Sequence, residues 1–273
     1  MTSRTHSLLL LSALLLAPAC GASSSPAAPA KPLAQKAKTL KIEQPKTLVA
    51  QNFTIKSRST RVEFTMNAPV EKIRGKIPKE ATTGELKIDL TDITKSTGLL
   101  HIDLTQLELF QRKSENGMFG EEVKNDTQNA HARTWLEIDE STPAIERKQN
   151  ALVEFALRRV PTASHKNVLA MTGQERKITF EAQGDFLLHQ RKSPKTVKLE
   201  ATFRFDGDTP VSVHVRSIEP FAVDLAEHDV RPRTAFGKLA QKTLSAMSEK
   251  VAQVAEISVD FTADHRGPIV ATN

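Results

Sequence analysis

From about residue 50 onward, apolar and polar side chains alternate with a period of two in one segment after another. Val62, Phe64 and Met66 share one face of a strand whose other face carries Arg61, Glu63 and Thr65. Leu86, Ile88 and Leu90 repeat the pattern against Glu85, Lys87 and Asp89, and Leu100, Ile102 and Leu104 repeat it against His101 and Asp103. Val153, Phe155 and Leu157 continue it, followed by Ile178 and Phe180 through Gly184 to Phe186 and Leu188. The longest run is Val197, Leu199, Ala201, Phe203 and Phe205, opposed by Lys198, Glu200, Thr202 and Arg204. Val211, Val213 and Val215 follow at once, and Ile257, Val259, Phe261 and Ala263 close the series. Successive Cβ atoms of a strand point to opposite faces, so each run predicts a strand with one buried side. One-sided apolar faces of this kind argue for an antiparallel sheet with water on its outer surface.

Turn signals such as Phe205-Asp206-Gly207-Asp208 separate the runs, which predicts an all-β sandwich or barrel. One segment changes period. In residues 235–254, Phe236, Leu239, Thr243, Met247, Val251 and Val254 recur at helical spacing, predicting one amphipathic helix near the C-terminus, packed over the sheet. The polar stretches 112–133 and 162–177 are expected as mouth loops or lids of the barrel. Trp135 falls in phase with Arg133 and Glu137, which puts it outside the barrel, beneath the helix.

The N-terminus has a separate design. Arg4 and His6 precede an apolar stretch at 8–16, and Ala17-Pro18-Ala19 leads to Cys20, the only cysteine of the 273 residues. Residues 1–19 read as a secretory signal peptide, since the apolar stretch is well short of the roughly 20 residues that a helix needs to span a bilayer. Small residues before a Cys after such a stretch resemble the bacterial lipobox, with Ala17 standing where Leu is usual; the resemblance implies lipidation of Cys20. The other reading is an ordinary signal with an incidental Cys. Residues 20–47, rich in Ser, Ala, Pro and Lys, read as a flexible tether, leaving 48–266 for the barrel domain and 267–273 as a tail.

The residues of the body resemble the YceI-like family of periplasmic polyisoprenoid-binding proteins. Phe53-Thr54-Ile55 followed by Ser59-Thr60-Arg61-Val62-Glu63-Phe64 is similar to the family's first hairpin. Gly75, then Gly84-Glu85-Leu86-Lys87-Ile88-Asp89-Leu90, then 98–104, is similar to its paired "G-x-(I/L)-x-(I/L)-D-L" run. Gly184-Asp185-Phe186-Leu187-Leu188-His189 with Val197-Lys198-Leu199-Glu200, and the ending from His228-Asp229-Val230-Arg231-Pro232 to 257–263, extend the likeness over roughly residues 50–264. His189 departs from the family's usual Gly, and Arg191-Lys192-Ser193-Pro194-Lys195 from its Lys-Pro turn. The resemblance implies a lipocalin-like antiparallel β-barrel enclosing one long isoprenoid chain.

On that reading the interior, and so the ligand-binding surface, is drawn from Val62, Phe64, Met66, Leu86, Ile88, Ile102, Phe155, Phe180, Phe186, Phe203 and Phe205, with His131 and Arg133 as head-group candidates. The competing reading is that the apolar residues are simply core and the two polar ones simply surface. No Gly-x-Ser-x-Gly elbow, phosphate loop, His-Glu-x-x-His or Cys-x-x-Cys occurs, so the chain is not expected to be an enzyme. Eight dispersed His and a single Cys suggest no metal site, and no cofactor is expected. A formal charge of +6, scattered among nearly as many acids, with 5% aromatics, suggests no nucleic-acid partner.

Two functions from different classes follow. In the first, an envelope lipoprotein binds or carries a long-chain apolar lipid, a polyisoprenoid or isoprenoid quinone, in its barrel. In the second, a non-enzymatic interaction or structural lipoprotein has a filled barrel and a protein partner that the sequence does not name. Either would face the periplasm from a membrane to which Cys20 fixes it, with the outer membrane favoured over the inner.

Overall fold

A computed structural model describes residues 32–45, 47, 49–231 and 252–268. Residues 1–19, read as a signal peptide, Cys20 and most of the segment 235–254, read as an amphipathic helix, lie outside the described residues.

Eight strands close into an antiparallel barrel: β2 (Gln51–Asn67), β4 (Thr82–Ile88), β5 (Thr97–Asp103), β9 (Leu152–Arg159), β10 (Glu175–Leu188), β11 (Arg191–Asp206), β12 (Thr209–Ser217) and β14 (Val254–Pro268). Each pairs with the next in that order, and β14 returns to pair with β2, with Val259 opposite Val62. Closure leaves the main sheet without the unpaired edges that invite aggregation. Every period-two run of the sequence maps onto one of these strands.

β2 is long because it serves two neighbours. Its first residues pair with β4, and residues 62–67 pair instead with β3 (Glu71–Ile77), which pairs on with β6 (Glu108–Glu115). The short strands β7 (Met118–Phe119) and β8 (Val123–Lys124) also line up on β6, and β13 (Phe221–Asp224) extends β14 on the far side. At this end of the barrel, α1 (Asp126–Trp135) packs against β6 and α2 (Ala144–Asn150) against β9 before the chain enters β9. The sequence pattern put Arg133, Trp135 and Glu137 on an extended segment; the structure corrects this. Asn125 caps a helix there, its side chain accepting from Gln128 N–H at 2.9 Å, and an Asn N-cap stabilises a helix start by about 1 kcal/mol.

The opposite end is plugged. Residues 160–174 run from β9 past the β4–β5 connection to β10, with Val160 and Val168 buried and the Val168 N–H donating to Leu90 O at 2.8 Å. Arg176, itself buried, donates to the carbonyls of Gly173, Val168 and Leu169 at 3.2, 3.1 and 3.4 Å, and its guanidinium lies 3.8 Å from the centre of the Phe205 ring. The stretch read from sequence as a second mouth loop is thus the floor.

The tether reading for residues 20–47 also needs correction at its end. The segment from Ala34 to Gln44 lies along the outer barrel wall: β1 (Gln35–Lys36) pairs with the start of β11, and Leu40 packs with Leu99, Ala156 and Leu187, three outward-facing apolar residues. Glu154 pins this strap. Its buried carboxylate accepts from Leu40 N–H and from Thr39 Oγ1 at 2.9 Å, and lies 2.8 Å from His101 Nδ1. Burial opposes ionisation of Glu154, but the hydrogen bonds from His101, Leu40 and Thr39 outweigh it and hold the carboxyl below the ordinary range. A depressed carboxylate contributes stability above its unfolded pKa of about 4.3, and that contribution is lost as pH falls through the lower folded value. Glu154→Gln is expected to cost about 1–3 kcal/mol near neutrality and to flatten the acid limb of stability against pH. Thermal unfolding of both proteins between roughly pH 6 and 3 tests this; parallel curves would refute the carboxylate's role.

Candidate ligand cavity

Because side chains alternate along each barrel strand, one face of every strand points inward. Above the floor these inward residues do not meet. They leave a cavity of about 230 Å³ that is not fully enclosed. Its wall is drawn from β2, β4, β5, β9, β10, β11, β12 and β14, and α1 lines it at one end.

Of the eleven interior residues expected from sequence, Val62, Phe64, Met66, Leu86, Ile88, Ile102, Phe155, Phe180, Phe186 and Phe203 all line this cavity. Phe205 does not. It points inward as its phase requires, but it sits in the floor stacked on Arg176 and is buried. Phe53 and Ile55 also belong to the filled lower core.

Phe64 owes its placement to Gly75 on the neighbouring strand. The two are directly paired, and a Cβ at position 75 would lie 2.2 Å from the Phe64 ring, so only glycine leaves room for it. Gly184 plays a similar part at the β9–β10 bulge, where a Cβ would lie 2.3 Å from Ala156 O.

The sequence reading placed 112–133 at the mouth but missed the helix that forms it. One turn of α1 after another presents Gln128, His131, Ala132 and Trp135 to the cavity, an i, i+3, i+4, i+7 stripe. Trp135 was expected outside the barrel and is instead part of the wall, with its ring 6.2 Å from that of His131 and nearly parallel to it. His131 stands at the cavity rim. Arg133 does not: it lies on the opposite side of the helix, donating to Thr105 O at 2.8 Å beside a separate surface depression.

The polar groups near the opening form a linked set. Glu71 accepts from Gln111, whose amide oxygen accepts from Asn125, and Gln128 Nε2 lies 3.4 Å from Glu71 Oε2. On the other side, His228 is fully buried against Phe186, edge to face at 5.6 Å. Burial lowers its pKa, which keeps the ring neutral at pH 7, although the carbonyl of Arg191 works the other way. Its Nδ1 faces the carbonyls of Arg191 and Leu188 at 2.9 and 3.3 Å and so donates, leaving Nε2 to accept from Ser193 Oγ at 3.0 Å. This fixes the 225–230 loop against the rim as structure, with no spare valence for a ligand.

Among the described residues there is no group of three or more His, Cys, Asp and Glu placed to hold a metal ion, and no helix long and apolar enough to cross a membrane.

The fold and cavity define a lipocalin-like barrel: a closed antiparallel meander around an apolar well. No family model matches the chain, and no curated protein matches it. Among solved structures it is similar to a polyisoprenoid-binding domain from Saccharophagus degradans, described as implicated in plant cell wall breakdown, at 12% identity over 80% of this chain and 99% of that one, with a TM-score of 0.47. It is also similar to BcnA of Burkholderia cenocepacia, at 11% identity over 76% and 98% of the two chains, with a TM-score of 0.46.

Proposed function

We propose that the protein binds one long apolar chain, an isoprenoid or comparable lipid, inside the barrel, without catalysis, as an envelope lipoprotein fixed to its membrane through Cys20. The cavity carries this reading. Its wall is apolar from the floor to the rim, with the polar groups Glu71, Gln128 and His131 gathered near the opening. Such a well offers a methylene chain burial worth about 0.8 kcal/mol per carbon before the cost of immobilising it. It offers a polar substrate almost nothing.

The volume limits the ligand. About 230 Å³ falls below the roughly 300–1,000 Å³ of pockets that enclose a drug-sized molecule. The well therefore takes the leading part of a chain, and the remainder with its head group occupies the opening beside α1. The filled floor of the barrel, with Phe53, Phe205 and Val168 packed in it, is the observation that favours the second reading, an interaction lipoprotein with no ligand.

Filling the well separates the two. Ala201 and Ala182 line it from adjacent strands and are buried. Ala201→Phe or Ala182→Phe is expected to weaken binding of an apolar fluorophore such as 1-N-phenylnaphthylamine at least about tenfold, while costing no more than about 1–3 kcal/mol of stability. Unchanged affinity in folded variants would sink the carrier reading. Organic extracts of protein made in an isoprenoid-containing host should, in parallel, yield a long-chain lipid in stoichiometric amount; an empty extract favours the filled barrel.

A further inference from the structure

At the cavity end, large apolar side chains stand in solvent on two adjacent turns. Val70, in the β2–β3 turn, is 52% exposed, and Met118, at the β6–β7 turn, is 75% exposed. The turns form one tip. Ser114 N–H donates to Val70 O at 2.9 Å, and the β6–β7 pairing sets Phe119 opposite Ser114 and Met118 opposite Glu115.

The charge around this tip is mixed, with cations at its flanks. Lys72, Arg112 and Lys113 are exposed beside it, with Lys72 Nζ lying 4.5 Å from the centre of the Phe119 ring. Of the nearby acids, Glu71 turns its carboxylate to Gln111 and Glu122 is held by Arg74, which leaves Glu115 and Glu121 facing solvent. Apolar side chains displayed on loop tips weaken solubility and contribute nothing to the barrel, so they mark a contact surface. An apolar point flanked by Lys72, Arg112 and Lys113 matches a phospholipid bilayer, with the apolar groups at the acyl boundary and the cations among the phosphates.

A second observation points to the same end. Ala34 N–H donates to Glu227 O at 2.9 Å and β1 pairs with the first residues of β11, so the strap reaches the barrel beside the rim of the cavity. On the proposed reading that Cys20 fixes the protein to a membrane, on which this inference rests, the strap joins the barrel at the end that carries the tip.

We propose that the tip formed by Val70, Met118 and Phe119 docks on a phospholipid surface and sets the cavity opening against the bilayer, so that an apolar chain passes between the two without crossing water. Docking is independent of what the cavity holds.

The test uses the full chain with Cys20→Ser, so that a single engineered cysteine carries the label. Met118→Cys is labelled with the fluorophore NBD, and Leu169→Cys, in the floor segment, serves as the control. Both are mixed with vesicles of phosphatidylcholine containing phosphatidylglycerol. The label at 118 is expected to shift to the blue and to be reduced by dithionite roughly tenfold more slowly than without vesicles, while the label at 169 is unchanged. Adding Val70→Asp to the Met118→Cys protein should restore fast reduction. Equal reduction at both sites, protection at 169 instead of 118, or a blue shift that grows with protein concentration in the absence of vesicles, which would mean self-association, overturns the proposal. Lipid extraction reads cavity occupancy separately, so failure of either reading is seen without the other.

Discussion

Phe203→Glu is expected to abolish folding, leaving a protein that is insoluble or shows no cooperative thermal transition. Phe203 is 2% exposed, and it occupies the lower wall of the well between Val213 on β12 and Arg176 on β10. Removing its ring alone costs about 3–5 kcal/mol. The replacement carboxyl would find an apolar wall, and it must either shed its charge at further cost or draw water into the core. The sum matches the whole 5–15 kcal/mol by which most domains are stable. A folded Phe203→Glu protein with a normal unfolding transition would show that the lower well is already hydrated.

Arg176→Ala is expected to cost about 3–5 kcal/mol, read from chemical denaturation, because it removes the one guanidinium that ties three carbonyls of the floor and the Phe205 ring together. Hydrogen bonds from charged donors contribute about 1.5–3 kcal/mol each, and not additively. Arg176→Lys should recover only part of the loss. An ammonium cannot lie flat on an aromatic ring while reaching divergent acceptors. A loss below about 1 kcal/mol for the Ala variant would mean that the floor is held by Val168 and its backbone bonds instead.

The strands were legible because their alternation survives in the sequence wherever one face meets the interior and the other meets water. Where that condition fails, the signal fails. In β3 the inward series Ile73, Gly75, Ile77 is interrupted at the position where the Phe64 ring takes the space of a side chain, so the strand does not announce itself. α1 is only ten residues long, and its polar stripe of Gln128 and His131 hides the helical period; the Asn125-Asp126 start followed by Ala130 and Ala132 was the available sign.

Phase also says nothing about height. Phe203 and Phe205 are equivalent in the pattern, yet one lines the well and the other stacks on Arg176 in the floor. The strap illustrates the opposite case. The doubled apolar pairs Leu99-Leu100 and Leu187-Leu188 break the alternation because the outer wall is covered there, by Leu40 and its neighbours. A covered outer face is visible in such pairs, but the segment that covers it is not.

The plugged floor has a kinetic consequence. A well with one door cannot be flushed from behind, so an incoming guest has no route to the far side of a resident one. The resident must leave before its replacement arrives. For a lipid carrier of this build, turnover would proceed at the rate of departure, whatever the abundance of competitors, which suits a reservoir and not a conduit.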